Sequence, residues 1–154
     1  MLRNKLVSAL MALAVCALIV PALSLAGRNT IEVTAKLKGN NEVPGPGSNN
    51  GKGDINVFLK PTKNKVCFEL EVSKLDTITA SHIHKGDADQ AGTVKVTLID
   101  SQIPGTGSYE GCVKNVRSKL LDKIAANPEK FYVNVHTLDY PEGAIRGQLE
   151  PLAG

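Results

Sequence analysis

Val66-Cys67-Phe68-Glu69-Leu70-Glu71-Val72 decides the fold class. Its apolar side chains Val66, Phe68, Leu70 and Val72 recur at every second position, and Cys67, Glu69 and Glu71 point the other way. A period of two is the mark of a strand with one face buried. The same alternation runs outward in both directions from residue 28 onward. Residues 30–37 put Ile31, Val33, Ala35 and Leu37 on one face. Residues 54–59 do so with Ile55, Val57 and Leu59. Residues 77–84 and 108–113 read as further strands, and 93–99 is predicted to turn Val94, Val96 and Leu98 inward. Residues 39–53, rich in Gly, Asn and Pro, form a loop. One stretch is helical, 118–127, where Leu120, Leu121 and Ile124 share a side and Pro128 stops it. Residues 131–137 and 144–149 form a closing hairpin around Asp139-Tyr140-Pro141-Glu142-Gly143. Eight short strands with Gly-rich turns predict an all-β β-sandwich with one short helix; a closed barrel is the competing architecture.

The first segment stands outside this pattern. Arg3 and Lys5 precede an uncharged run, Leu6 to Ala26, broken by Pro21 and ending in Ser24-Leu25-Ala26. This reads as a signal peptide, residues 1–26, cleaved after Ala26. An uncleaved membrane anchor is the alternative, and a lipid on Cys16 a weaker one. Residues 1–26 hold two of the 18 basic side chains and none of the 15 acidic ones, so the rest of the 154-residue chain is close to neutral. No clustered basic run is present, so no nucleic-acid partner is expected. Membrane contact is expected only through an uncleaved leader. Cys67 and Cys112 remain in the exported part and read as one disulfide, against the alternative of two free thiols. Periplasmic or extracellular location follows from the leader.

The three histidines carry the chemistry. In Ala80-Ser81-His82-Ile83-His84, the alternation puts His82 and His84 on one side and Ile83 on the other. In Val133-Asn134-Val135-His136, the valines and His136 point opposite ways. If Ile83, Val133 and Val135 face the core, all three imidazoles share the other face type. Residues i and i+2 of a strand face lie roughly 7 Å apart, within reach of one shared ion. Three neutral nitrogens suit copper, with zinc the alternative. Both methionines lie in the leader, which argues against a blue-copper centre. A histidine on a strand face is more often merely solvated, and both readings stay open on spacing alone. Asp87, Asp89 and Gln90 are weaker candidates, as acceptors for ring N–H groups or simply a solvated turn. Arg146 either steers an anion to the metal, sits exposed, or pairs with Glu142 or Glu150.

Three segments carry a resemblance: Ala80-Ser81-His82-Ile83-His84-Lys85-Gly86, Tyr132-Val133-Asn134-Val135-His136-Thr137 and Tyr140-Pro141-Glu142-Gly143-Ala144-Ile145-Arg146-Gly147-Gln148-Leu149. Together with Asn127-Pro128 and the opening 37–44, they resemble the CHRD (chordin-type) domain over roughly residues 30–151, as in bacterial secreted members, whose cysteine pair Cys67 and Cys112 look like. The resemblance implies that residues 27–154 form one CHRD domain. The histidine strands also resemble, more distantly, the copper-ligand strands of copper/zinc superoxide dismutase. That likeness implies a Greek-key, Ig-like sandwich with His82, His84 and His136 on one copper. It lacks the bridging histidine and zinc loop, so a second metal is not implied. The expectation is an exported copper-binding protein for copper handling or modest redox chemistry. Its rivals are a metal-free protein-interaction module and a superoxide dismutase-like enzyme. Ligands from a second subunit, in a homodimer, stay open.

Overall fold

The computed structural model describes residues 30–152, so the leader expected over 1–26 lies outside the described residues. The chain forms β1 (Ile31–Lys38), β2 (Lys52–Lys60), β3 (Lys65–Ser73), β4 (Ile78–Lys85), β5 (Thr93–Ile99) and β6 (Gly107–Lys114). The helix α1 (Ser118–Ala126) follows, then β7 (Phe131–Thr137), β8 (Ile145–Gln148) and the short β9 (Glu150–Pro151). All ladders are antiparallel. The strands make one continuous sheet in the order β5-β4-β7-β8-β1-β2-β3-β6, with β9 on β1. The sheet curls until its outer strands β5 and β6 approach each other, giving a nearly closed barrel flattened into a sandwich. Sandwich and barrel, the two competing expectations, thus meet in one architecture. Among the described residues the strands number nine rather than eight, because Glu150–Pro151 pair with β1 as β9.

The halves join weakly at one side. β8 pairs with β1 only at Lys38 and Arg146, and a Cβ on Gly147 would collide with the Lys36 carbonyl. Glycine is required for that approach. Inward residues of both halves make the core, among them Val33, Leu37, Val57, Leu70, Ile83, Val133, Val135 and Ile145. Leu121 and Ile124 bury one stripe of α1 on it. Asn64, in the left-handed region at φ +48°, accepts from the Ser118 N–H through its side chain at 3.1 Å, capping a helix whose own N-cap, Arg117, has no capping side chain. Cys67 and Cys112 sit directly opposite on β3 and β6 and form the disulfide, on the face away from the core.

The inward placement of Val94 fails. Val94 is 49% exposed. Ile83 pairs with Val96 while His84 pairs with Val94, so Lys95 is an extra residue on β5. One bulge reverses the face of everything beyond it. Among the described residues, no helix is long and apolar enough to cross a membrane.

Candidate metal centre

Strand register places the histidines. β4 pairs with β7 so that His84 faces Tyr132, His82 faces Asn134 and Ala80 faces His136. Directly opposed residues share a face, so all six side chains project from the side of the sheet away from Ile83 and Val133. β8 adds Gln148 beside Tyr132 and Arg146 beside Asn134. His136 is therefore the diagonal neighbour of His82. Its direct partner, Ala80, carries only a methyl group and leaves the space into which the ring leans. Three β4 irregularities, one against β7 beside Ala80 and two against β5 beside the two histidines, re-aim these side chains.

The rings converge. The His82 centroid lies 5.5 Å from that of His84 and 4.9 Å from that of His136. One nitrogen from each residue lies within 4.8 Å of the others. Nitrogens at about 2.0–2.1 Å from a shared ion would stand roughly 3.3–3.5 Å apart, a contraction within the reach of small side-chain rotations.

Hydrogen bonds select which nitrogens are free. His84 Nδ1 is 2.9 Å from the Gly92 carbonyl, and His136 Nδ1 is 2.9 Å from the Pro141 carbonyl. A carbonyl can only accept, so each Nδ1 carries the proton and each Nε2 keeps its lone pair. Those two Nε2 atoms, and Nδ1 of His82, are buried without a hydrogen-bond partner. Three orphaned nitrogens in one place, two with their tautomer fixed by backbone carbonyls, match the donor set of a metal site. Burial, followed by the neighbouring rings, pushes the His82 imidazole down to about 4. Burial likewise lowers His84. Both rings are neutral at neutral pH and would release no proton on binding a cation.

The other side chains nearby form a stack. The Tyr132 ring lies 4.7 Å from the His84 ring at 10° between planes, and the Arg146 guanidinium carbon sits 3.4 Å over the same Tyr132 ring. Two groups at these separations cannot share one face of Tyr132, so the tyrosine separates Arg146 from His84. The Tyr132 hydroxyl accepts from the Gly92 N–H at 3.0 Å, while the Gly92 carbonyl holds His84. Arg146 is 1% exposed, so the exposed alternative is overturned. Nor does it pair with Glu142 or Glu150; its Nη2 donates to the Asp87 carbonyl at 2.7 Å, and the carboxylates acting on it from nearby are Glu42 and Asp89. Arg146 stays on the outer face, out of phase with Ile145 as the alternation has it, and is buried there against Tyr132 and the Asp87 backbone, a covering the alternation alone did not reveal. Glu42 is buried beside Gly143, whose φ is +144°. Burial pushes its carboxyl up to about 7, against the opposing pull of Arg146.

Asp87 stands apart from the rings. Its carboxylate pairs with Lys130 at 2.9 Å, and the ring N–H acceptors are backbone carbonyls. Asp89 and Gln90 are exposed. Tyr132, Asn134 and Glu42 had escaped the sequence reading. The Tyr132-x-Asn134-x-His136 alternation carried a signal for the first two. Nothing local marked Glu42, which arrives from a loop.

No curated protein and no solved structure matches the chain. The family model of the CHRD domain matches residues 33–149. That match spans β1 through β8 and includes all three histidines, and on it the chain belongs to the CHRD domain family.

Proposed function

We propose that this CHRD domain is an exported copper-binding protein, with His82, His84 and His136 holding one ion. The observation that carries the reading is the convergence of three imidazole rings, each of which holds a buried nitrogen with no hydrogen-bond partner. Leaving three such acceptors unpaired would cost roughly 1–3 kcal/mol each, and an ion would satisfy all three at once. The donor set contains nitrogen alone, and for such sites divalent copper binds more tightly than zinc. Bound copper would supply one-electron redox chemistry; the chain's own part is to hold three imidazoles and fix two of them through Gly92 and Pro141. Copper handling outside the cytoplasm needs only these ligands. The disulfide, at home in an oxidising compartment, supports export.

The test is titration of metal-free protein with Cu(II) and Zn(II), alone and in competition, on wild type and on His82→Ala, His84→Ala and His136→Ala. One ion per chain is expected, copper displacing zinc, with each variant weakening uptake. Uptake unchanged in all three variants rejects the site. A superoxide dismutation assay on copper-loaded protein then separates enzyme from binder, activity no greater than that of free copper leaving binding alone.

A further inference from the structure

A second surface, remote in chemistry from the histidines, gathers charge that is dispersed in the sequence. Lys85 at the end of β4, Lys95 on β5, and Arg117, Lys119 and Lys123 along α1 line one groove, and no carboxylate lines it. Lys119 and Lys123 are one helical turn apart and so share a face. All five are exposed, and none makes an ion pair among the described residues. Val94, thrust outward by the β5 bulge, adds an exposed apolar surface.

The groove is lined from two sides. α1 supplies one bank of cations and the ends of β4 and β5 the other. At about 610 Å³, it falls in the range of ligand sites, ~300–1,000 Å³. The balancing acidity lies elsewhere: Asp54, Glu69, Glu71 and Glu110 line a cleft on the outer face of β2, β3 and β6. Asp54 is directly opposite Glu71, and Glu69 opposite Glu110. Residues 27–154 are thus close to neutral in sum and polarised in space. Such a field orients an approaching polyanion onto the basic side.

We infer that this groove binds a linear anionic polysaccharide, its acidic groups reaching the two cationic banks and the apolar faces of its sugar rings packing on Val94. The concave shape disfavours a flat bilayer. The aromatic ring in the lining, Phe131, is buried, so nucleic-acid bases have nothing to stack on. This inference is independent of the copper site.

The experiment measures binding of fluorescently labelled polygalacturonate to the full exported chain across a salt series. Double-stranded DNA and poly-glutamate serve as competitors. Lys119→Glu/Lys123→Glu is compared with wild type and with Glu69→Gln/Glu110→Gln, which alters the separate acidic cleft. All four positions are exposed, and circular dichroism checks each fold. Expected are binding that weakens steeply with salt, a loss of at least about tenfold in the lysine variant, and no loss in the glutamate variant. Equal binding by the lysine variant and wild type overturns the proposal, as does absence of binding at low salt. Stronger competition from DNA or poly-glutamate than from unlabelled polygalacturonate also overturns it.

Discussion

Consider acidifying the metal-free protein from pH 7 to pH 4. Two buried groups respond with opposite sign. The His82 ring has its folded value pushed down to about 4, from an ordinary 6.5. Between those values the unfolded chain binds more protons, so stability is full above about 6.5 and is lost as pH falls toward 4. At 1.36 kcal/mol per unit the ceiling is ~3 kcal/mol. The ring is only half-buried, and solvent screening reduces this to about 1–2 kcal/mol. Glu42 acts in reverse. Its carboxyl is raised from 4.5 to about 7, so its contribution is full below about 4.5 and is lost as pH rises through 7, on the order of 2–3 kcal/mol. Wild type therefore shows a flattened profile in which the two effects oppose. His82→Asn removes the histidine contribution, and its stability should rise relative to wild type as pH falls. Glu42→Gln removes the other, and its advantage over wild type should grow toward neutral pH. Urea unfolding at half-unit pH steps reads both. With a slope of about 1–3 kcal/mol per molar urea, each difference moves the midpoint by roughly 0.5–1.5 M. Profiles for His82→Asn and wild type that stay parallel from pH 7 to pH 4 would refute the assignment of a buried neutral ring.

Further outcomes test the arrangement around the site. Ala80→Leu fills the space beside His136 and should weaken copper or zinc binding by at least about tenfold, measured by competitive titration, while the fold survives. Tyr132→Ala removes the ring between His84 and Arg146 and should cost ~3–5 kcal/mol in urea unfolding; Tyr132→Phe keeps the stack and should cost about 1 kcal/mol, for the lost Gly92 contact. Reducing Cys67–Cys112, which closes a loop of sequence separation 45, should destabilise the chain by about 3–4 kcal/mol. Metal affinity of the folded reduced protein should not change, because the bridge joins β3 to β6 and the histidines stand on β4 and β7.

Alternation of apolar and polar residues was enough to place the strands, since a half-buried strand must present every second side chain to the core whatever its neighbours are. The same rule put His82 and His84 on one side of their strand and His136 on the side away from its valines. It failed at Val94, because a bulge adds a residue without altering the local pattern. The tertiary structure alone decided which strands are neighbours. That choice set Ala80 opposite His136, brought the third ring to the first two, laid Tyr132 against His84 and delivered Glu42 to Arg146 from a distant loop. It also drew five scattered cations into one groove. Register and strand order depend on the packing of the whole core, and contacts between residues some 50 positions apart leave no periodic trace in either segment.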